Sequence, residues 1–110
     1  MKGKIVLIPF PFTDLTATKL RPALILYEGE KDVVAAFISS RTEKPKATDI
    51  IIDEKHPEFK QTGLKLASVI KLDKVATISK TLIVGEIGEV GAKIKKVINR
   101  KIAEVYTLQT

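Results

Sequence analysis

At 110 residues the chain has room for one hydrophobic core, and 45% hydrophobic with 29% charged residues is ordinary globular material, which excludes extended disorder. No cysteine is present, so disulfides, thiolate metal sites and cysteine nucleophiles are excluded, and a reducing compartment suits the composition. A net charge of +6 favours polyanions, of which nucleic acid is the commonest inside cells, and acidic protein partners equally.

The start, Met1-Lys2-Gly3-Lys4, leads into a short apolar run from Ile5 to Ile8, too short for a secretory h-region or a membrane span. A soluble cytoplasmic protein is expected. Gly3 to Ile8 reads as a first strand buried on both faces. Pro9 and Pro11 are expected to stop its pairing, since proline lacks the N–H that a ladder requires. Phe10 to Leu20 reads as a loop that delivers the chain to Arg21-Pro22 and a second strand, Ala23 to Tyr27. Glu28 to Asp32 is a hairpin connection, and strand three, Val33 to Ile38, ends in Ser39-Ser40-Arg41. Thr42 to Ala47 reads as an exposed loop, Asp49 to Asp53 as a short strand, and Glu54 to Gly63 as a surface loop broken at His56-Pro57. Leu66 to Leu72, Val75 to Ile78 and Leu82 to Ile87 read as three further strands.

The last quarter changes period. Ile94, Val97, Ile98, Ile102 and Val105 fall on one helical stripe, with Lys93, Lys95, Lys96, Arg100 and Lys101 mostly off it and facing solvent. Gly91 is a poor cap, which leaves the start of this helix open. Six or seven short strands and one terminal helix predict a mainly β domain spanning residues 1–110, a small, strongly bent sheet or barrel.

Elimination narrows the chemistry. The chain has no phosphate-binding P-loop and no dinucleotide fingerprint. One histidine without cysteine makes no ordinary zinc set, and His56 reads as a surface residue. RNA, however, carries its own nucleophile. Its 2′-hydroxyl can attack the adjacent phosphorus, and a protein then has to move protons and stabilise charge on a five-coordinate phosphate. Arginine suits the second task, because its planar fork makes two hydrogen bonds to phosphate oxygens.

The run Pro9-Phe10-Pro11-Phe12-Thr13-Asp14-Leu15, then Lys19-Leu20-Arg21-Pro22-Ala23-Leu24-Ile25-Leu26, resembles the amino-terminal signature of the MazF/PemK toxins. The resemblance continues through Val34 to Ser40, Gly63-Leu64, Ser68 to Asp73, Ala76 to Ile78 and Leu82 to Gly85. It implies a small SH3-like barrel of the MazF/CcdB (PemK-like) type with a carboxy-terminal helix, assembled as a homodimer. It also implies a metal-independent, cofactor-free endoribonuclease that cuts single-stranded RNA at short sequences, and a cognate antitoxin as partner. An acidic, initially disordered tail of that antitoxin would suit a basic groove.

By the same resemblance Arg21 matches the family arginine that acts on the scissile phosphate as general acid and charge stabiliser. Ser39 falls where the family has its catalytic threonine or serine, with Ser40 as the alternative one residue on. Lys71-x-Asp73 matches an Arg-x-Asp pair used in acid–base catalysis, here with lysine, which lacks the fork. Asp14, Thr16 and Lys19 border the expected RNA groove, and Ser40 and Arg41 join them as RNA-binding candidates; Lys19 is the phosphate contact of choice. Specificity is expected from the loops 10–20, 41–47 and 54–63. A different class of function is carried by the same barrel in CcdB-type toxins, which bind DNA gyrase and cut nothing, and a catalytically silent member is a third reading.

Overall fold

A computed structural model describes residues 1–10 and 19–110. Runs rich in valine and isoleucine pack well on a pleated surface, and here they form β1 (Lys4–Phe10), β2 (Lys19–Glu28), β3 (Asp32–Ser39), β4 (Asp49–Ile52), β5 (Ser68–Ser79) and β6 (Gly85–Glu89), followed by the helix α1 (Ala92–Tyr106). The strands pair antiparallel in one curled sheet, in the order β4-β5-β3-β2-β1-β6. The expected mainly β fold with a carboxy-terminal helix is therefore present.

Successive side chains of a strand face opposite sides of a sheet, so the apolar run of β1 supplies two clusters. On one face Ile5, Leu24, Ala36, Ile38, Ile50, Ile70 and Leu72 pack with Ile94 and Ile98 of α1. On the other, Val6, Ile8, Ala23, Ile25, Val33, Ala35 and Ile78 pack with one another. Each large aliphatic side chain buried in this way contributes about 1.5–3 kcal/mol. No helix among the described residues is long and apolar enough to cross a membrane.

Three expectations about the strands are corrected. Pro9 does not end β1: the ladder with β2 runs through Pro9↔Leu20 to Phe10↔Lys19, so the ends of the expected 10–20 loop are strand. The Leu7 carbonyl accepts the Val84 N–H at 2.9 Å, on the β6 side. By alternation Pro9 turns its amide position to that same side, beyond the end of the β6 ladder at Gly85, where no bond is lost. The segments Leu66 to Leu72 and Val75 to Ile78 belong to one strand, β5, whose register with β3 jumps from Phe37↔Lys71 to Ala36↔Val75. Leu72, Asp73 and Lys74 form the resulting bulge. Residues 82–87 are not one strand, because a 3₁₀ turn, Lys80–Leu82, is capped by Ser79 Oγ accepting the Thr81 N–H at 3.3 Å, and β6 starts at Gly85.

The helix stripe is as expected, with Ile94 and Ile98 buried and Val97 and Ile102 packed beside them. Its cap comes from far along the chain. Glu58 Oε2 accepts the Lys93 N–H at 3.0 Å and Oε1 accepts the Ile94 N–H at 2.9 Å. Gly91 makes room, since a Cβ there would lie 2.4 Å from Glu58 Cδ. These bonds, that from Lys93 first, hold the Glu58 carboxyl below its ordinary value of 4.5. A carboxyl with a lowered folded-state value stabilises the fold above its ordinary value, and that stability is lost as pH falls through the folded-state value. Glu58→Gln is therefore expected to melt lower than the wild type near neutral pH, with the gap closing as pH falls below the ordinary carboxyl value of 4.5. Melting curves across this range check it; a gap independent of pH would contradict the capping role.

Candidate active site

Register places the candidate residues. Ala23 of β2 faces Phe37 of β3, which faces Lys71 of β5, which faces Asp49 of β4, so these four side chains form one row on one face of the sheet. Two residues further along, Ser39 faces Val69, and continuing the Ala23–Phe37 register sets Arg21 level with Ser39. Strands in a sheet lie about 4.8 Å apart, and residues two apart in a strand share a face. Arg21, Phe37, Ser39 and Lys71 consequently point the same way. The bulge after Leu72 then brings Asp73 and Lys74 to the same place.

The result is a groove of about 500 Å³ lined by Arg21, Phe37, Ile38, Ser39, Lys71, Asp73, Lys74 and Val75. The four residues singled out for chemistry in the sequence, Arg21, Ser39, Lys71 and Asp73, all line it. Ser39 Oγ accepts the Arg41 N–H at 3.1 Å, which fixes the hydroxyl oxygen and leaves its proton to be donated. Three cations face one carboxylate on the lining, so the groove is electropositive.

Lys71 and Asp73 do not pair with each other. Lys71 Nζ lies 3.5 Å from Asp49 Oδ2, and Asp73 Oδ2 lies 3.4 Å from Lys46 Nζ. They are neighbours on one face, each held by a residue of the segment that leads into and opens β4. Lys19 is exposed at the start of β2, two residues before Arg21 on the same side of the strand. Ser40 and Arg41 are exposed beyond the end of β3 and do not line the groove. Asp14 and Thr16 lie outside the described residues.

The sequence had not pointed to Phe37, Lys74, Val75, Lys46 or Asp49. Asp49 carried one signal, a lone acid opening a run of three isoleucines. Lys46 and Lys74 look like any solvated lysine until the bulge and the register are known. Among the described residues no three acidic, histidine or cysteine side chains gather as a metal site.

The class of fold is thus a mainly β one: a curled antiparallel sheet with a terminal helix and a basic, strand-built groove. The family model for PemK-like, MazF-like toxins of type II toxin–antitoxin systems matches residues 1–106, and the chain belongs to that family. Among solved structures it is similar to an endoribonuclease in complex with its cognate antitoxin from a mycobacterial species, at TM-score 0.73 and 19% identity, over 100% of this chain and 97% of that one. It is also similar to the Mycobacterium tuberculosis toxin MazF-mt6, at TM-score 0.73 and 23% identity, over 97% of this chain and 99% of the other. No curated protein matches the sequence.

Proposed function

We propose that this toxin is a cytoplasmic, metal-independent endoribonuclease that cuts single-stranded RNA at short sequences and so inhibits growth. The observation that carries the reading is the convergence of Arg21, Ser39, Lys71 and Asp73 on one electropositive groove. Membership of the toxin family and the likeness to proteins named as endoribonucleases support it.

In this reaction the 2′-oxygen of the substrate forms a bond to the adjacent phosphorus, and the bond from phosphorus to the 5′-oxygen breaks. The products are a cyclic 2′,3′-phosphate and a free 5′-hydroxyl. Asp73 is the carboxylate suited to take the 2′-hydroxyl proton, Arg21 to protonate the departing oxygen and offset charge on the phosphoryl oxygens, and Lys71 to share that charge. Ser39 donates a hydrogen bond to a non-bridging oxygen. RNA enters past Lys19, with Ser40 and Arg41 as contacts outside the groove, and Asp14 and Thr16 are further RNA contacts in this reading. The protein acts as a homodimer, and a cognate antitoxin covers the groove with an acidic tail that complements Arg21, Lys71 and Lys74.

Incubation of the purified protein, free of antitoxin, with a long single-stranded RNA in EDTA tests the reading. Discrete cuts that leave 5′-hydroxyl ends are expected; intact RNA would contradict the assignment.

A further inference from the structure

We infer that Asp49 is a positioning residue for the reaction, holding the Lys71 ammonium in the groove; the inference rests on the ribonuclease reading above. Asp49 opens β4 directly before Ile50 and Ile52, both in the core, so its backbone is anchored. Its side chain is 1% exposed and stands beside Lys71 in the β4–β5 register. Acidic side chains are rarely buried so completely unless they are paired.

Asp49 Oδ2 accepts the Lys46 N–H at 2.9 Å and lies 3.5 Å from Lys71 Nζ. The first bond orients the carboxylate, and the second contact aims it at the amine. Oδ1 is buried and has no hydrogen-bond partner among the described residues, so Oδ2 carries the polar contacts of this carboxylate. Asp49 does not line the groove, whereas Lys71 does. The direct contact from Asp49 to a groove-lining side chain is the one to Lys71.

Lysine needs such a holder here more than arginine does. Its charge sits at the end of a flexible four-carbon stem with no planar fork to fix its direction. A carboxylate behind the amine restricts the stem and keeps the charge where a phosphate can meet it. The same segment serves Asp73, because Lys46, whose N–H orients Asp49, places its own Nζ 3.4 Å from Asp73 Oδ2. Lys71 and Asp73, both in the groove lining, are thus each held by the 46–49 segment.

The test compares RNA cleavage by the wild type, Asp49→Asn, Lys71→Met and the double variant, each first shown to melt cooperatively. Asp49→Asn is expected to lower kcat about tenfold or more with KM changed less than about threefold, because a misplaced group loses rate before it loses binding. Lys71→Met is expected to lose at least as much. The double variant is expected to be no slower than Lys71→Met alone, since the group Asp49 acts through is already gone. Asp49→Thr, which removes the charge but keeps an acceptor for the Lys46 N–H, replaces Asp49→Asn if that variant does not fold.

Wild-type cleavage rates in Asp49→Asn or in Lys71→Met, or losses that multiply in the double variant, overturn the inference and leave the function standing. Failure of both neutral variants to fold marks Asp49 as structural and overturns it too. A wild type that cuts nothing overturns the function and the inference together.

Discussion

Arg21→Ala is expected to slow RNA cleavage by about a thousandfold or more, with the fold intact. One positioned donor to a developing oxyanion is typically worth about 10² to 10³ in rate, and proton transfer in the same step about 10² to 10⁴. Arg21 is proposed to supply both, so a thousandfold is the lower end of the expectation. The residue lies on the exposed first part of β2, and its Cβ atom and backbone are retained in alanine. Arg21→Ala should accordingly still melt cooperatively, as an exposed position in a strand allows. Arg21→Lys keeps the charge but loses the fork, and an intermediate rate is expected from it. Initial rates on a defined single-stranded RNA, beside thermal melts, measure both variants. Full activity in Arg21→Ala would sink the mechanism, whichever residues replaced it.

The second large effect concerns folding. Gly63 has φ of 74°, and a Cβ there would fall 2.0 Å from the Ile87 carbonyl oxygen and 2.6 Å from its carbon. Gly88 shows the reverse side of the same approach, since its Cβ would come within 2.3 Å of the Thr62 carbonyl. Two backbone segments therefore meet with no side chain between them, the 3₁₀ turn Lys60–Thr62 and the strand β6. An alanine at Gly63 combines a left-handed conformation, costing about 1–2 kcal/mol, with overpacking that costs about 1–3 kcal/mol. A loss of about 3 kcal/mol corresponds to a fall in Tm of more than about 10 °C in a domain of this size. Gly85→Ala is the control, because nothing lies within 4 Å of its Cβ position, and it should melt close to the wild type. Calorimetry or circular dichroism on the pair reads the difference; equal melting of Gly63→Ala and wild type would refute the close approach.

Local pattern told much about this chain. The apolar runs at Ile5 to Ile8, Ala23 to Tyr27 and Val33 to Ile38 lie within strands, and the 3.6-residue stripe from Ile94 onward is a helix. Such features depend on side chains within a few residues of one another, so a window of sequence contains them. The ordered motif around Arg21-Pro22 pointed to the toxin family for a similar reason, as a contiguous stretch. Prolines misled it. Pro9 reads as a stop until the neighbouring strand is known to have ended beside it.

Length, composition, strand and helix propensity, family and the four groove-lining candidates were therefore decided by the sequence itself. Tertiary structure alone decided who pairs with whom. Lys71 meets Asp49, 22 residues before it, and Asp73 meets Lys46, 27 residues before it, although Lys71 and Asp73 are next-but-one neighbours. Glu58 caps a helix that starts more than thirty residues later, where Gly91 offers no side chain to do so. The physical reason is register: a slip of one residue turns every side chain of a strand to the other face, so the contents of a groove follow from how strands align and where they bulge.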